Sequence, residues 1–453
     1  MVILKKRAIF TVPISILLIA VIAASFFLMN IKPDTSKIPQ AEKLSEYSKP
    51  AVVRIVEYAV IDWDFYDFFS DVGNEVDAIL AQMNYQTYVG GSGSGAIISS
   101  DGYIVTNAHV VEGTQLNDDE LATKGLEQIA WTVADYFQVD YQTAYEYVWT
   151  YMGYTNVTRV LKVVLPGGEV LDGEVKSYGA PVTHGKDVAV LKIEGRDLPT
   201  LKLGNSDIVK NQNNIWVLGY PAAAESDLFS IDSFLESSMN AGQVSSASKT
   251  LEQGASPVIQ IDAAATHGNS GGPVINEKGE IIGLLTFRGD TVNGQEVQGF
   301  NFAVPVNTVK EFVNQAGAKN TSGRTDKLYK EGLELYWGGY YKNALEKFEA
   351  VARIYPDHSE VKSYIADSQN KIDESKILWS AYKTLFYLID GALALLIVLF
   401  MLYTFVLKPK TAAVAADSSV ISAQDPISDK KIEENMPLQQ EKKEESADEN
   451  RKK

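Results

Sequence analysis

The chain has 453 residues, room for two or three domains at about 100 to 200 residues each. With 45% hydrophobic and 22% charged residues it can bury a sizeable core, which excludes collagen-like and wholly disordered chains. It has no cysteine, hence no disulfide, thiolate metal site or cysteine nucleophile, and a net charge of -17 argues against a nucleic-acid partner, which needs a basic face.

Residues 1–7 end in Lys5, Lys6 and Arg7 and precede 8–29, a run of 22 uncharged residues. At 1.5 Å per residue such a run covers roughly 33 Å, enough to cross a bilayer. It is read as an uncleaved anchor, because a signal-peptide core is usually about 7 to 15 apolar residues and this one continues through Phe26, Phe27 and Leu28. A cleaved signal peptide is the alternative. A second span is expected over 385–407, uncharged from 391 onward and closed by Lys408 and Lys410. Basic residues outside both runs place the two termini in the cytoplasm and everything between them outside, as in a two-pass protein of the cell membrane in contact with lipid. The tail 408–453, rich in Ser, Ala, Glu, Lys and Asp, is expected to be disordered.

The polar, proline-punctuated stretch 30–47 reads as a tether. From 48 to 318 short runs of Val, Ile and Tyr are broken by Gly, Asn and Asp at the spacing of an all-β sandwich or barrel. The clearest strands are 52–60, 103–107, 188–193, 215–219, 258–261 and 281–286. Two helical interruptions are expected. One, 62–86, mixes acidic and aromatic residues. The other, 116–152, carries Ile129, Val133, Phe137, Tyr141, Tyr145 and Trp149 in an i+4 row on one helical stripe, which either packs on the barrel wall or serves as a lid or docking face. Over 325–375 the pattern becomes helical. Leu328, Gly332, Gly339, Tyr341, Ala344, Phe348 and Pro356 fall at the positions of a single tetratricopeptide unit, with Leu335 and Val351 departing from it, and a helix over 359–374 would cap it. Peptide binding, a spacer role and self-association into a homo-oligomer all fit such a unit.

Three stretches carry chemistry. TNAHVV (106–111) follows a strand, KDVAVLKI (186–193) opens one at Asp187, and GNSGGP (268–273) is a glycine-rich turn between two more. A serine hydroxyl is a poor nucleophile near neutral pH, so acyl transfer needs an imidazole to take its proton and a buried carboxylate to fix the imidazole's tautomer. Ser270, His109 and Asp187 supply one of each. Glycines around Ser270 let the amides of Gly268 and Ser270 converge on a developing oxyanion. Alone, each element is an ordinary packed histidine, strand cap or turn; together, each beside its strand, they point to catalysis. His184, His267 and His358 show no ligand spacing, so neither metal nor cofactor is expected.

GSGSGAIISSDGYIVTNAHVVEG (91–113), KDVAVLKIEG (186–195), VLGYP (217–221), VIQIDAAATHGNSGGPVINEKGEIIGLLTF (258–287) and GFNFAVPVNTV (299–309) resemble the HtrA/Deg family of trypsin-like serine endopeptidases over about 48–315. The resemblance implies a mainly β fold of two six-stranded antiparallel barrels with the active site in the cleft between them. It also implies protein or peptide substrates, with His109 as general base, Asp187 as its orienting partner and Ser270 as nucleophile. His109 and Asp187 lie 78 positions apart, more than the family's usual separation, and the insert 116–152 accounts for the excess. No PDZ-like domain follows. Asn269 stands where digestive trypsin-like enzymes carry the aspartate that pairs with a freshly cut N-terminus, so control by loop ordering is expected instead, with the two inserts as candidate gates. Ala264, six residues before Ser270, replaces the carboxylate of enzymes selective for Lys or Arg. With Ala265, Thr266 and His267 it would bind small to medium aliphatic side chains before the cut bond. The family's usual task implies quality control of exported, unfolded or damaged proteins. A catalytically silent scaffold and a signalling protease with one membrane substrate are the alternatives.

Overall fold

The computed structural model describes residues 2–67, 69–182, 184–221, 235–250, 256–288 and 300–406. Contacts divide the chain into two units, Ala23–Ile389 and the pair Met1–Ile22 with Asp390–Lys453.

The chain enters through α1 (Val2–Met29) and α2 (Gln40–Ser48). The first sheet collects β1 (Val52–Phe65), β2 (Gln86–Ile97), β3 (Tyr103–Thr106), β4 (Met152–Val164), β5 (Val170–Asp172), β6 (Glu174–Tyr178) and β7 (Ala189–Lys192), in the order β5-β4-β1-β2-β3-β7-β6. Between these strands lie α3 (Asp71–Gln82), α4 (Asp118–Phe137) and α5 (Tyr141–Tyr151). The second sheet collects β8 (Lys202–Leu203), β9 (Asn214–Gly219), β10 (Ser238–Thr250), β11 (Pro257–Ile261), β12 (Pro273–Ile275), β13 (Glu280–Arg288) and β14 (Asn301–Pro305), in the order β12-β9-β10-β11-β14-β13-β8. Because β12 also pairs with β13, six of these strands close on themselves, and β8 is appended in parallel to β13. The sheets thus hold seven strands each rather than the expected six. The edge strands β5 and β8, three and two residues long, make the difference.

β1 decides much of the architecture. Its burial alternates along 14 residues, so Val53, Ile55, Glu57, Ala59, Ile61, Trp63 and Phe65 share the inner face. Val53 and Ile55 join the barrel core with Ile97, Ile104 and Leu191. Ala59 to Phe65 instead meet a second core, built with Leu121, Leu126, Ile129, Val133 and Val148 of the insert. Residues 62–65, expected in a helical interruption, are therefore strand, paired with β4 and extended by apolar alternation. Among the described residues there, only α3, capped by the Ser70 hydroxyl on the Gly73 amide at 2.8 Å, is helical.

The single helical stripe expected over 116–152 is two helices. α4 starts in a capping box between Asn117 and Glu120 and ends at Gln138, whose φ of +53° is left-handed, and Asp140 caps α5 through the Thr143 amide at 3.0 Å. The row splits accordingly: Ile129 and Val133 are buried, while Trp149 is exposed. Packing against the strands accounts for the buried half. The expected tether 30–47 holds most of α2, whose Leu44 enters the core shared with Leu218 and Leu284.

After α6 (Val306–Gln315) come α7 (Arg324–Trp337), α8 (Tyr341–Ile354) and α9 (Val361–Asn370). Gly332 lets α7 approach α8 closely, since a Cβ there would lie 2.6 Å from the Phe348 ring. Asp326 accepts from the Gly323 amide at 2.8 Å, capping α7, and from the Thr200 amide and hydroxyl at 2.8 and 2.7 Å, which ties the helical region to the β domain.

In the smaller unit, α1 meets Tyr403 and Thr404 of the turn that continues α10 (Lys383–Met401). The Thr11 and Thr404 hydroxyls are 2.6 Å apart, and the Arg7 guanidinium lies 4.5 Å from the Tyr403 ring centre. Among the described residues, two helical segments are long and apolar enough to cross a membrane, Arg7–Met29 and Trp379–Val406, with mean hydropathies of 2.6 and 2.5. The tail 408–453 lies outside the described residues.

Candidate active site

Each expected catalytic residue sits just past the end of a strand or in a turn gripped by strands. β3 pairs with β7 through Thr106 and Ala189, so the residues just beyond Thr106 and just before Ala189, His109 and Asp187 among them, meet at one end of that pair. Asp187 is fully buried, and His109's side chain is about one-third exposed at 34%. The His109 ring Nδ1 lies 2.7 Å from Asp187 Oδ2, and the His109 amide donates to Oδ1 at 2.9 Å. The Thr286 hydroxyl donates to Oδ2 as well, and Asn107 Nδ2 donates to the Asp187 carbonyl at 2.8 Å. Both carboxylate oxygens are thus held by donors. With the ring proton on Nδ1, the imidazole presents Nε2 as a base. Burial depresses the His109 pKa, but the Asp187 hydrogen bond and charge, helped by Glu112, outweigh it and leave the pKa above its ordinary value of 6.5.

The turn carrying Ser270 depends on two left-handed glycines, Gly268 (φ +89°) and Gly271 (φ +82°). At Gly271 a Cβ would lie 2.2 Å from the Ser94 carbonyl, so no side chain fits there. Ser94 holds the turn. Its amide donates to the Ser270 carbonyl at 2.8 Å and its hydroxyl to the Gly268 carbonyl at 2.7 Å, and that hydroxyl accepts from the Tyr220 amide at 2.9 Å. Within the turn the amides of Asn269, Gly271 and Gly272 go to Thr266, Leu285 and Asn269. Among the described residues, those of Gly268 and Ser270 carry no such bond.

Ser270 and His109 line one cavity of about 330 Å³. The Ser270 hydroxyl reaches the Thr286 carbonyl at a long 3.3 Å. Of the expected substrate contacts, His267 lines this cavity and Ala264, Ala265 and Thr266 lie outside it. The structure brings His109 and Asp187 into direct contact and sets Ser270 in the same cavity. Sequence reasoning missed Ser94, Asn107 and Thr286. Their one signal was position: Asn107 lies inside the motif of His109, and Ser94 and Thr286 lie in the longer stretches 91–113 and 258–287 that carry the resemblance.

The sequence pattern of the trypsin-like peptidase domain matches residues 93–284, which contain the three expected triad positions and Ser94, and ends two residues before Thr286. The protein named "Probable periplasmic serine endoprotease DegP-like" from Halomonas elongata is 29% identical over 296 residues, 62% of this chain and 50% of its own length. The chain thus contains a trypsin-like peptidase domain and is similar to serine proteases of the HtrA/Deg family. Mitochondrial serine protease HTRA2 of Bos taurus is 30% identical over 236 residues, 51% of this chain and 37% of its own length. The chain spans half or less of the length of these HtrA/Deg relatives.

Proposed function

We propose that this chain is a membrane-anchored serine endopeptidase that hydrolyses peptide bonds of exported, unfolded or damaged proteins. The observation that carries the reading is the Asp187 carboxylate, buried and bonded to both the ring and the amide of His109. A carboxylate so placed fixes the imidazole tautomer and steadies its positive charge. Rotation of the Ser270 hydroxyl away from the Thr286 carbonyl turns it toward Nε2, a bond that commonly tightens only when substrate arrives. His109 then takes the hydroxyl proton as the Ser270 oxygen attacks the scissile carbonyl. The amides of Gly268 and Ser270 receive the oxyanion, and the imidazolium gives its proton to the leaving amine. Water, deprotonated by the same imidazole, releases the acyl group from Ser270.

The two apolar helices support anchoring. Arg7, near the start of α1, touches Tyr403, beyond the end of α10, which agrees with both chain ends on one side and the catalytic domain on the other. The α7–α8 hairpin, with Gly332 against Phe348, supports a tetratricopeptide-like module. We assign substrate contact before the cut bond to the strip Ala264–His267, and self-association to the whole chain by analogy with such modules.

The test is hydrolysis of a denatured protein substrate by the full-length chain in detergent, compared with Ser270→Ala. The variant should lose about a millionfold in kcat. Equal hydrolysis by both proteins would discard the mechanism.

A further inference from the structure

Glu57 breaks the inward apolar row of β1. Its neighbours on that face are Ile55 and Ala59, yet the side chain is only 4% exposed and its Oε1 finds no partner among the described residues. It opens into the cavity that holds His109 and Ser270. On the β2 side no side chain covers it, because Glu57 pairs there with Gly91, beside Gly90, whose φ of +148° suits glycine; on the β4 side it pairs with Leu161. Gly113 is needed equally, since a Cβ there would lie 2.2 Å from Oε1. An orphaned buried carboxyl oxygen is costly to keep, which directs attention to a ligand that supplies its donor.

The cavity lies on the imidazole side of Ser270. Its walls include Val110, Glu112 and Gly113, which follow His109 in the chain, and exclude Ala264 to Thr266. His109 must protonate the departing amine, so the residue after the cut bond lies on this side.

We propose that this cavity is the leaving-group subsite and that Glu57 selects a basic side chain, lysine or arginine, on the residue immediately after the cleaved bond. The assignment rests on the peptidase reading above and adds its substrate class. The groups facing Glu57 are Glu112 from the turn after β3, Arg159 from β4, Lys124 from α4, and His109 and His267. Arg159 is paired with Asp118 at 2.7 Å, and Lys124 is exposed to solvent. A cation entering between Glu57 and Glu112 therefore meets two carboxyls, and a charge-assisted bond discriminates more strongly than a neutral one. Burial, and then the charge of Glu112, push the Glu57 carboxyl up to about 7, against the Gly113 amide and Arg159. An arriving cation draws that proton off, so the preference strengthens with pH.

The experiment takes a peptide bond that the full-length chain cuts in detergent and compares lysine with norleucine at the residue after it, at pH 6 and pH 8. The kcat/KM ratio of lysine over norleucine should be about tenfold or more at pH 8, smaller at pH 6, and near one for Glu57→Gln at both. A wild-type ratio near one at pH 8 overturns the proposal without any variant. So does a ratio that survives Glu57→Gln. Absence of cleavage of every peptide by the wild type would instead sink the peptidase reading, whereas cleavage without preference sinks only this assignment.

Discussion

Asp187 and Glu57 are both buried carboxyls at the cleft, and they are built in opposite ways. Asp187 receives the His109 ring, the His109 amide and the Thr286 hydroxyl, the arrangement by which we propose it orients the imidazole. Glu57 keeps one oxygen without a partner and has Glu112 for a neighbour, so its neutral form is favoured. Burial is common to both; the count of donors differs. One carboxyl is finished by the fold, and the other awaits a ligand.

The comparison breaks first at Asp187. Asp187→Asn should lower kcat about ten-thousandfold with the fold intact, because an amide cannot hold the imidazole in the same tautomer. Steady-state kinetics on a peptide substrate reads this, and a fall of less than about tenfold would deny Asp187 its orienting role.

The next effect is on stability. The folded state holds Glu57 protonated above its ordinary value of 4.5, up to about 7. That contribution is fully present below pH 4.5 and is lost as pH rises toward 7. Glu57→Gln should therefore raise stability at pH 8 by roughly 2 to 3 kcal/mol and leave it nearly unchanged at pH 4. Denaturant midpoints at the two pH values measure it, and an equal change at both would remove Glu57's titration from the account.

The smallest effect sharpens the contrast at His109. Its raised pKa means that kcat/KM climbs with pH as the imidazole loses its proton, with a midpoint above 6.5. Glu112→Gln should move that midpoint down by about a few tenths of a unit, since Glu112 adds only a through-space charge to the larger effect of Asp187. A pH profile of wild type and variant decides, and an upward shift would contradict the geometry.

Much of this was legible in the chain. His109, Asp187 and Ser270 could be found because each lies beside a short apolar strand, and the glycines about Ser270 announced a turn that needs left-handed backbone. Ser94 and Thr286 lay in the longer stretches 91–113 and 258–287, but nothing local marks a hydroxyl as the one that grips a turn or a carboxylate far away in sequence. The i+4 row of 116–152 was correctly helical and wrongly continuous, because Gln138 adopts a left-handed conformation that its residue type does not demand.

By itself the sequence determined the residue types of the proposed triad, the apolar alternation of β1 and two segments apolar enough for a bilayer, since periodicity and backbone preference act within a few residues. Only the tertiary structure decided that β1 serves two cores, that a helix occupies part of the expected tether, and that the glutamate in the middle of β1 is buried with an oxygen to spare. Those outcomes depend on which distant segment comes to cover a side chain, and desolvation and hydrogen-bond supply are properties of that assembled environment rather than of any stretch of chain.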